Sequence, residues 1–345
     1  MIPHFQEYRE DIFTFLHSFL LEKKTSLSSV NKWGQDSVEK LLSFVNQGKM
    51  IRGSMVLFSH DLFSSEKNEE LVKVAAALEL IHSALLIHDD IMDNDLLRRG
   101  KKTIFAQYID QGKENSEHYG KSMAMCVGDM SFFFAYEILS LLKIDQSKKE
   151  KLIHLFSQEL MQVCLAQMQD ISAETAVTEK EVLSLYKYKT ARYTFSLPII
   201  AGALIAEQDW KMLQQLSLFG EYVGLIFQVK DDEIGLFGKE GVIGKPIGSD
   251  IKEGKQTLWR VYLQEKMNPE EKNRLKQIFG NNTITTEDIA FVQELVQEKG
   301  ILDRIDKLVN TWKKEAEVII HRLFISPEKK QQLEKIIDYN ITRRT

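Results

Sequence analysis

The chain has 345 residues, of which 43% are hydrophobic and 28% are charged, and its formal net charge is −5 at pH 7. That much apolar material is enough for a folded core of one or two domains. The mild negative charge and the dispersed lysines and arginines argue against a protein that binds nucleic acid.

The cysteines and the amino terminus indicate the compartment. Cys126 and Cys164 are too few for a disulfide framework, which favours a reducing compartment and a role in core packing. The first residues include early acids and lack the apolar run of a signal peptide. The longest apolar run, residues 195–206, is too short to span a bilayer. We therefore expect a soluble cytoplasmic protein without a transmembrane segment.

The first half of the chain predicts helices. No proline occurs between Pro3 and Pro198, and no stretch alternates with the period of a strand. Residues 5–23 have the spacing of an amphipathic helix, and a further helix ends at Gly48. Lys49 and Arg52 follow three residues apart, which makes them neighbours on one side of a helical turn. On these residues alone, a solvated basic patch is the simplest interpretation.

Residues 81–101 form an apolar helix that carries acids. Helical spacing places three polar side chains on one face: His82, Asp89 and Asp93. Such acids, with Asp90 beside them, are costly to bury unless cations meet them, and Arg98 and Arg99 follow at once. Carboxylates beside guanidinium groups indicate a site for a metal ion and a phosphate group. The alternative for this stretch alone is an amphipathic helix with a solvated acidic end.

The middle of the chain adds three elements. Residues 120–142 read as a core helix rich in Met and Phe, and the sequence QMQD follows at residues 167–170. The next helix carries Lys189 and Thr190 and is expected to kink at Pro198.

A second acidic helix supports the prediction of a site for a metal ion and a phosphate group. Helical spacing groups its polar side chains on one face: Gln228, Asp231 and Asp232. Lys245, Asp250 and Lys255 follow in a glycine-rich stretch. Two helices with paired acids, each trailed by cationic residues, are hard to attribute to chance.

The chain ends on helical spacing and the basic pair Arg343 and Arg344. A solvated basic tail is the simpler interpretation of that pair, and closure over a substrate is the alternative. Without a linker or an internal repeat, we expect one all-helical domain over residues 1–345, with residues 1–30 as a peripheral N-terminal helix.

In this order, the motifs resemble the trans-isoprenyl diphosphate synthase (polyprenyl synthetase) family over residues 40–345. The acidic helices are similar to its two aspartate-rich motifs, and the sequence GKPIGSDIKEGKQTL after the second is the most specific match. Three positions depart from the family pattern. Gly53 replaces a proline, Ala166 replaces a glycine, and Gly235 replaces the last acid of the second motif.

The resemblance implies an all-α bundle of the isoprenoid synthase type with a central active-site cavity, acting as a homodimer. It implies head-to-tail condensation of isopentenyl diphosphate with an allylic diphosphate, whose C–O bond breaks first to leave an allyl cation. Three Mg²⁺ ions per site would stabilise the departing diphosphate. The implied metal ligands are Asp89, Asp93 and Asp231, with Asp90 and Asp232 as supporting acids.

The resemblance also divides the polar residues between two substrates. The isopentenyl diphosphate set is Lys49, Arg52, His82 and Arg99. The allylic diphosphate set is Arg98, Lys189, Thr190, Gln228, Lys245 and Lys255, with Thr190 near the developing carbocation. The catalytic residues are then Asp89, Asp93, Lys189 and Asp231.

Three other functions fit the residues less well. A class I terpene cyclase usually has Ser or Thr at the position of Gly235 and Glu at that of Lys239, and it would not need the isopentenyl diphosphate set. A non-catalytic helical subunit would be expected to carry degraded acid motifs, and these are intact. A metal-dependent phosphohydrolase is suggested only by the dipeptide His88-Asp89.

The helix that carries Asp89 also predicts the product. Side chains before this residue are expected to wall the tunnel for the growing chain, and in the family a large aromatic four or five positions earlier stops growth at fifteen carbons. Those positions are Leu85 and Ala84 here, so we favour geranylgeranyl diphosphate, with twenty carbons. Farnesyl diphosphate and longer polyprenyl diphosphates are the alternatives. The floor of the tunnel is left open among Met123, Phe132, Phe133 and a partner subunit.

Overall fold

The computed structural model describes residues 5–66, 68–111, 115–172, 177–238, 247–281 and 283–343. Within these ranges the chain is almost entirely helical, and the strands found there are the two-residue β1 (Leu97–Arg98) and β2 (Lys101–Lys102), which pair antiparallel. The all-α prediction is confirmed.

Helix boundaries follow ordinary capping chemistry. In chain order the helices are α1 (Phe5–Leu27), α2 (Lys32–Asn46), α3 (Ile51–Asp61), α4 (Glu69–Met92), α5 (Ile104–Ile109), α6 (Ser116–Ser140), α7 (Gln146–Ser172), α8 (Glu179–Leu185), a π-helix (Tyr186–Ser196), α9 (Leu197–Ile205), α10 (Trp210–Phe237), α11 (Ser249–Lys252), α12 (Leu258–Lys266), α13 (Pro269–Ile278), α14 (Thr286–Glu298), α15 (Ile301–Arg322) and α16 (Pro327–Thr342). Asn68 begins α4 by accepting the Glu70 N–H, and Pro269 takes the first position of α13, where its missing N–H costs nothing.

The chain divides into two compact units. The first runs to Leu155 and includes Pro198–Asp209, and the second comprises Phe156–Leu197 and the residues from Trp210 onward. The expected single domain over residues 1–345 stays a prediction.

α4 is the central helix of the first unit. It packs against α1, α3 and α6, and every residue from Val74 to Ile81 is buried. Because so much of its surface is covered, its apolar residues do not form one narrow stripe. By length and composition α4 and α6 would pass for membrane spans, but 67% and 44% of their most apolar windows are buried in the fold. Core helices of soluble proteins have the same character.

α10 is the central helix of the second unit, and it packs closely against the π-helix. A Cβ atom at Gly224 would lie 2.3 Å from Ala191 Cα, and one at Gly220 would lie 2.7 Å from Ser196 Cα. These glycines let the two backbones approach, so the polar side chains of both helices meet. The sequence predicted an ordinary helix kinked at Pro198 and did not predict the π-helix that ends just before it.

Two predictions about packing are wrong. Cys126 and Cys164 are exposed rather than part of the core. On α6, Met125 and Phe133 are 51% and 72% exposed, so its Met and Phe residues are only partly packed. A core stripe and an apolar face left uncovered on a single chain have the same helical period, so the sequence could not separate them.

Candidate active site

The acidic end of α4 places its aspartates in different environments. Asp90 is 1% exposed and accepts a hydrogen bond from Arg98 Nε at 2.6 Å. Burial raises the pKa of Asp90 to about 7, although the charge of Arg98 opposes that rise. Asp89 lies 3.5 Å from Arg98 Nη2 with its side chain 22% exposed, and Asp93 is half-buried at the end of the helix. Asp89 and Asp93 are therefore the aspartates that solvent reaches.

The hairpin after α4 brings Arg99 to the basic element that precedes α3. Arg99 has φ 52° and Gly100 has φ 74°, which turns the chain sharply between β1 and β2. A Cβ atom at Gly48 would lie 3.7 Å from Arg99 Nη1. Lys49 is exposed next to Gly48. The structure thus groups Arg99 with the start of α3, as the resemblance implied.

Arg52 and His82 join the same cluster. Arg52 Nη1 lies 3.0 Å from His82 Nε2. Burial lowers the pKa of His82 well below its usual value, and the charges of Arg52 and Arg99 act in the same direction. The imidazole is therefore neutral at pH 7 and accepts the Arg52 hydrogen bond. The cations around the start of α3 form a site suited to an anion.

A hydrogen-bonded chain links the π-helix to α10 in the second unit. Thr190 Oγ1 donates to Gln228 Oε1 at 2.6 Å, and Gln228 Nε2 donates to Asp232 Oδ1 at 2.7 Å. The Tyr186 hydroxyl donates to the other oxygen of Asp232 and accepts the Leu258 N–H at 3.1 Å. Both oxygens of the buried Asp232 are therefore engaged by neutral donors, as suits a supporting acid.

Asp231, the residue before Asp232 on α10, has a side chain that is 58% exposed. Its carboxylate accepts a hydrogen bond from Arg343, whose guanidinium carbon lies 3.8 Å from the centroid of the Phe227 ring. The Arg343 side chain is only 6% exposed, so the interpretation as a solvated tail is wrong for this residue. Arg344 lies outside the described residues.

Other predicted residues that the structure describes lie in the second unit. Lys189 pairs with Asp170, so the QMQD sequence and the Lys-Thr pair do meet. Lys255 Nζ lies 2.7 Å from Glu253 Oε2. A Cβ atom at Gly235 would lie 3.3 Å from Asp250 Oδ2, so the missing last acid leaves room beside Asp250. Lys245 lies outside the described residues.

Sequence reasoning missed two residues at these sites and the partner of a third. Glu79 is a buried acid that accepts the Gly53 N–H, and its position inside the apolar run of α4 was a usable signal. Tyr186 lies on the π-helix one turn before Lys189, and nothing in the sequence distinguished it. Arg343 was noticed, but its partner is 112 residues away.

The exposed acid of each motif fits Mg²⁺. Asp89 and Asp231 offer solvent-accessible carboxylate oxygens, the hard ligands that Mg²⁺ prefers. Across the described ranges, no three acidic, histidine or cysteine side chains converge on one point as a metal cage. Mg²⁺ commonly takes one or two carboxylates and fills its other positions with water and substrate phosphate oxygens.

The chain is similar to known proteins. The chain matches the polyprenyl synthetase family model over residues 31–296. It is 33% identical over 251 residues to a short chain isoprenyl diphosphate synthase of Methanocaldococcus jannaschii, covering 72% of each chain. It is 31% identical over 300 residues to a geranylgeranyl diphosphate synthase of Saccharolobus solfataricus, covering 86% of this chain and 85% of the relative.

The fold has a counterpart among solved structures. The crystal structure of geranylgeranyl pyrophosphate synthase from Corynebacterium glutamicum, complexed with isoprenyl diphosphate and magnesium, matches with a TM-score of 0.92 at 27% identity. The match covers 100% of both chains and so includes both acid motifs.

Proposed function

We propose that this chain, which belongs to the polyprenyl synthetase family of trans-prenyltransferases, condenses isopentenyl diphosphate with an allylic diphosphate to make geranylgeranyl diphosphate. The observation that carries the proposal is the difference in burial between the two adjacent aspartates of each acid motif. Asp89 and Asp231 are open to solvent, whereas Asp90 and Asp232 are buried and held by neighbouring side chains. A separate cationic cluster surrounds the start of α3.

The residues of the acid motifs would serve the allylic diphosphate. Asp89, Asp93 and Asp231 would hold Mg²⁺, for which we propose three ions per site. Bound Mg²⁺ neutralises the charge that develops on the departing diphosphate. Arg98 and Lys189 would bind the same diphosphate.

The cluster at α3 would bind the second substrate. Arg52, His82, Lys49 and Arg99 would hold isopentenyl diphosphate. When the allylic C–O bond has broken, the double bond of isopentenyl diphosphate attacks the allyl cation and forms the new C–C bond. Loss of a proton to the released diphosphate then completes the product.

Labelled isopentenyl diphosphate, incubated with an allylic diphosphate and Mg²⁺, should be incorporated into a longer prenyl diphosphate. An excess of chelator should abolish that incorporation, because the departing diphosphate would lose its cation. Condensation that survives the chelator, or none with primers of five, ten and fifteen carbons, would contradict the proposal.

Two substitutions should separate the diphosphate sites. Arg52→Ala should raise the KM for isopentenyl diphosphate, and Lys189→Ala should raise the KM for the allylic substrate. The loss of one charge-assisted contact should weaken binding by about 1.5–3 kcal/mol. Lys187→Ala is the matched control, because Lys187 lies on the same π-helix but pairs with Glu221 at 2.7 Å. The reverse pattern in the two KM values would show that the assignment is wrong.

We also propose a cytoplasmic homodimer. The exposed free thiols Cys126 and Cys164 suit a reducing compartment, and the exposed apolar face of α6 that includes Phe133 suits a second copy of the chain. Light scattering should give twice the 39.9 kDa of one chain. Phe133→Asp should shift the mass toward the monomer, whereas Phe324→Asp should not, although Phe324 is 93% exposed. A wild-type monomer with full activity would refute the dimer.

A further inference from the structure

Helix α3, which carries Arg52, begins without a cap of its own. Its N-cap residue Met50 has φ 50° and makes no side-chain hydrogen bond to the helix. The first N–H groups of a helix have no partner within it. Here the Gly53 N–H donates to Glu79 Oε1 at 2.7 Å, and the same carboxylate accepts the Arg52 N–H. A side chain of α4, 26 residues along the chain, therefore caps α3.

Gly53 makes this cap possible. A proline, the residue usual in the family at this position, has no N–H to donate. A Cβ atom at Gly53 would lie 3.1 Å from Glu79 Cγ and 3.0 Å from the Ala75 carbonyl oxygen. Glycine thus provides both the donor and the space that the Glu79 side chain occupies.

Glu79 also interacts electrostatically with the nearby arginines. It is 4% exposed, and burial raises its pKa, whereas the Gly53 N–H and the charges of Arg52 and Arg99 lower it. Burial and the charge of Arg98 lower the pKa of Arg99, and the charge of Glu79 raises it. Burial has the largest effect, so the pKa of Glu79 lies above its usual value, and the start of α3 and the two arginine charges oppose that rise.

We propose that Glu79 is a positioning residue for the isopentenyl diphosphate site, where it fixes the start of α3 and holds Arg52 and Arg99 ready for the anion. The inference rests on the proposed function, because the site is assigned through that function. Glu79 is buried, and it acts through the backbone that carries Arg52 and through the charges of Arg52 and Arg99. Without the charge of Glu79, mutual repulsion between Arg52 and Arg99 would move the two guanidinium groups apart. A diphosphate that contacts both groups would then bind more weakly.

Calorimetric titration with isopentenyl diphosphate, in chelator and without allylic substrate, tests the proposal directly. Glu79→Gln keeps the size of the side chain and one acceptor oxygen but removes the charge, and it should weaken binding at least tenfold. Steady-state assays with Mg²⁺ should show the KM for isopentenyl diphosphate rising at least tenfold and the allylic KM changing less than twofold. Glu79→Asp, which keeps the charge on a shorter side chain, should lie between wild type and Glu79→Gln.

Glu159→Gln is the matched control. Glu159 is 3% exposed and pairs with Arg192 of the π-helix, so this variant also removes a buried charge beside an arginine. Its affinity for isopentenyl diphosphate should stay within twofold of wild type. Equal affinity in wild type and Glu79→Gln, or an equal rise in both KM values, would overturn the positioning role. So would failure of both Glu79 variants to fold while Glu159→Gln folds. A wild-type protein that binds no isopentenyl diphosphate would instead overturn the proposed function.

Discussion

Asp89→Asn and Asp231→Asn should each lower kcat on the order of 10²–10³-fold, the usual cost of losing one preorganised group that stabilises developing charge. Their thermal stability should change little. Both carboxylates are partly exposed, and asparagine keeps one oxygen that can accept the hydrogen bond of Arg98 or Arg343. Rates at saturating substrate and Mg²⁺, together with thermal melts, measure both quantities.

Two control variants show whether a loss of turnover comes from lost metal binding. Glu233→Gln changes an acid of the same motif that pairs with Lys230 at 2.6 Å, and it should keep the wild-type kcat. Arg343→Gln removes the partner of Asp231 but keeps its carboxylate, so most of the turnover should remain. If Arg343→Gln loses as much turnover as Asp231→Asn, the ion pair and not metal binding explains the effect.

Replacing a buried acid should, in contrast, lower the stability of the fold. Asp232 accepts hydrogen bonds from the buried Tyr186 and the half-buried Gln228. Its replacement by alanine leaves the Tyr186 hydroxyl without this acceptor, which should cost roughly 1–3 kcal/mol of stability, and the half-buried Gln228 should add less. The contrast between neighbouring aspartates follows from the helix itself, because successive side chains point about 100° apart.

Local features of the site could be predicted from the sequence. Helical spacing depends only on residues three or four apart, so it correctly placed the paired acids of both motifs on helices, although the first helix ends at Met92 and Asp93 is its C-cap residue. The meeting of Arg99 with the loop before α3 was implied by the family resemblance and not by periodicity, and the contact of Lys189 with Asp170 was not predicted.

Contacts that depend on distant parts of the chain could not be predicted. The cap of α3 by Glu79 requires the packing of α4 on α3, and the burial of Arg343 requires the end of α16 to reach α10. Whether Phe133 is covered depends on what packs against α6. Helical period reports which residues share a face, but not what that face meets.

Product length should respond to the residues one turn before Asp89. Leu85 is half-buried, whereas Ala84 is 0% exposed. Leu85→Phe should therefore bring an aromatic ring to a position with free surface and shift the main product from twenty carbons to fifteen. Leu85→Met is the matched control, because a swap that conserves volume should leave the product unchanged. Chromatography of the dephosphorylated products, at fixed substrate ratio, measures the distribution.

Ala84→Phe should shorten the product as well, but with a cost in stability. A phenyl ring at a completely buried alanine overpacks the core around α4, which typically costs about 1–3 kcal/mol. The ring relieves that strain by moving into the nearest open space, and a tunnel beside α4 would provide it. A lower melting temperature together with a fifteen-carbon product would thus place the tunnel beside this part of α4. If both phenylalanine variants fold and still make the wild-type product, this part of α4 does not line the tunnel, and the limit on chain length lies elsewhere in the molecule.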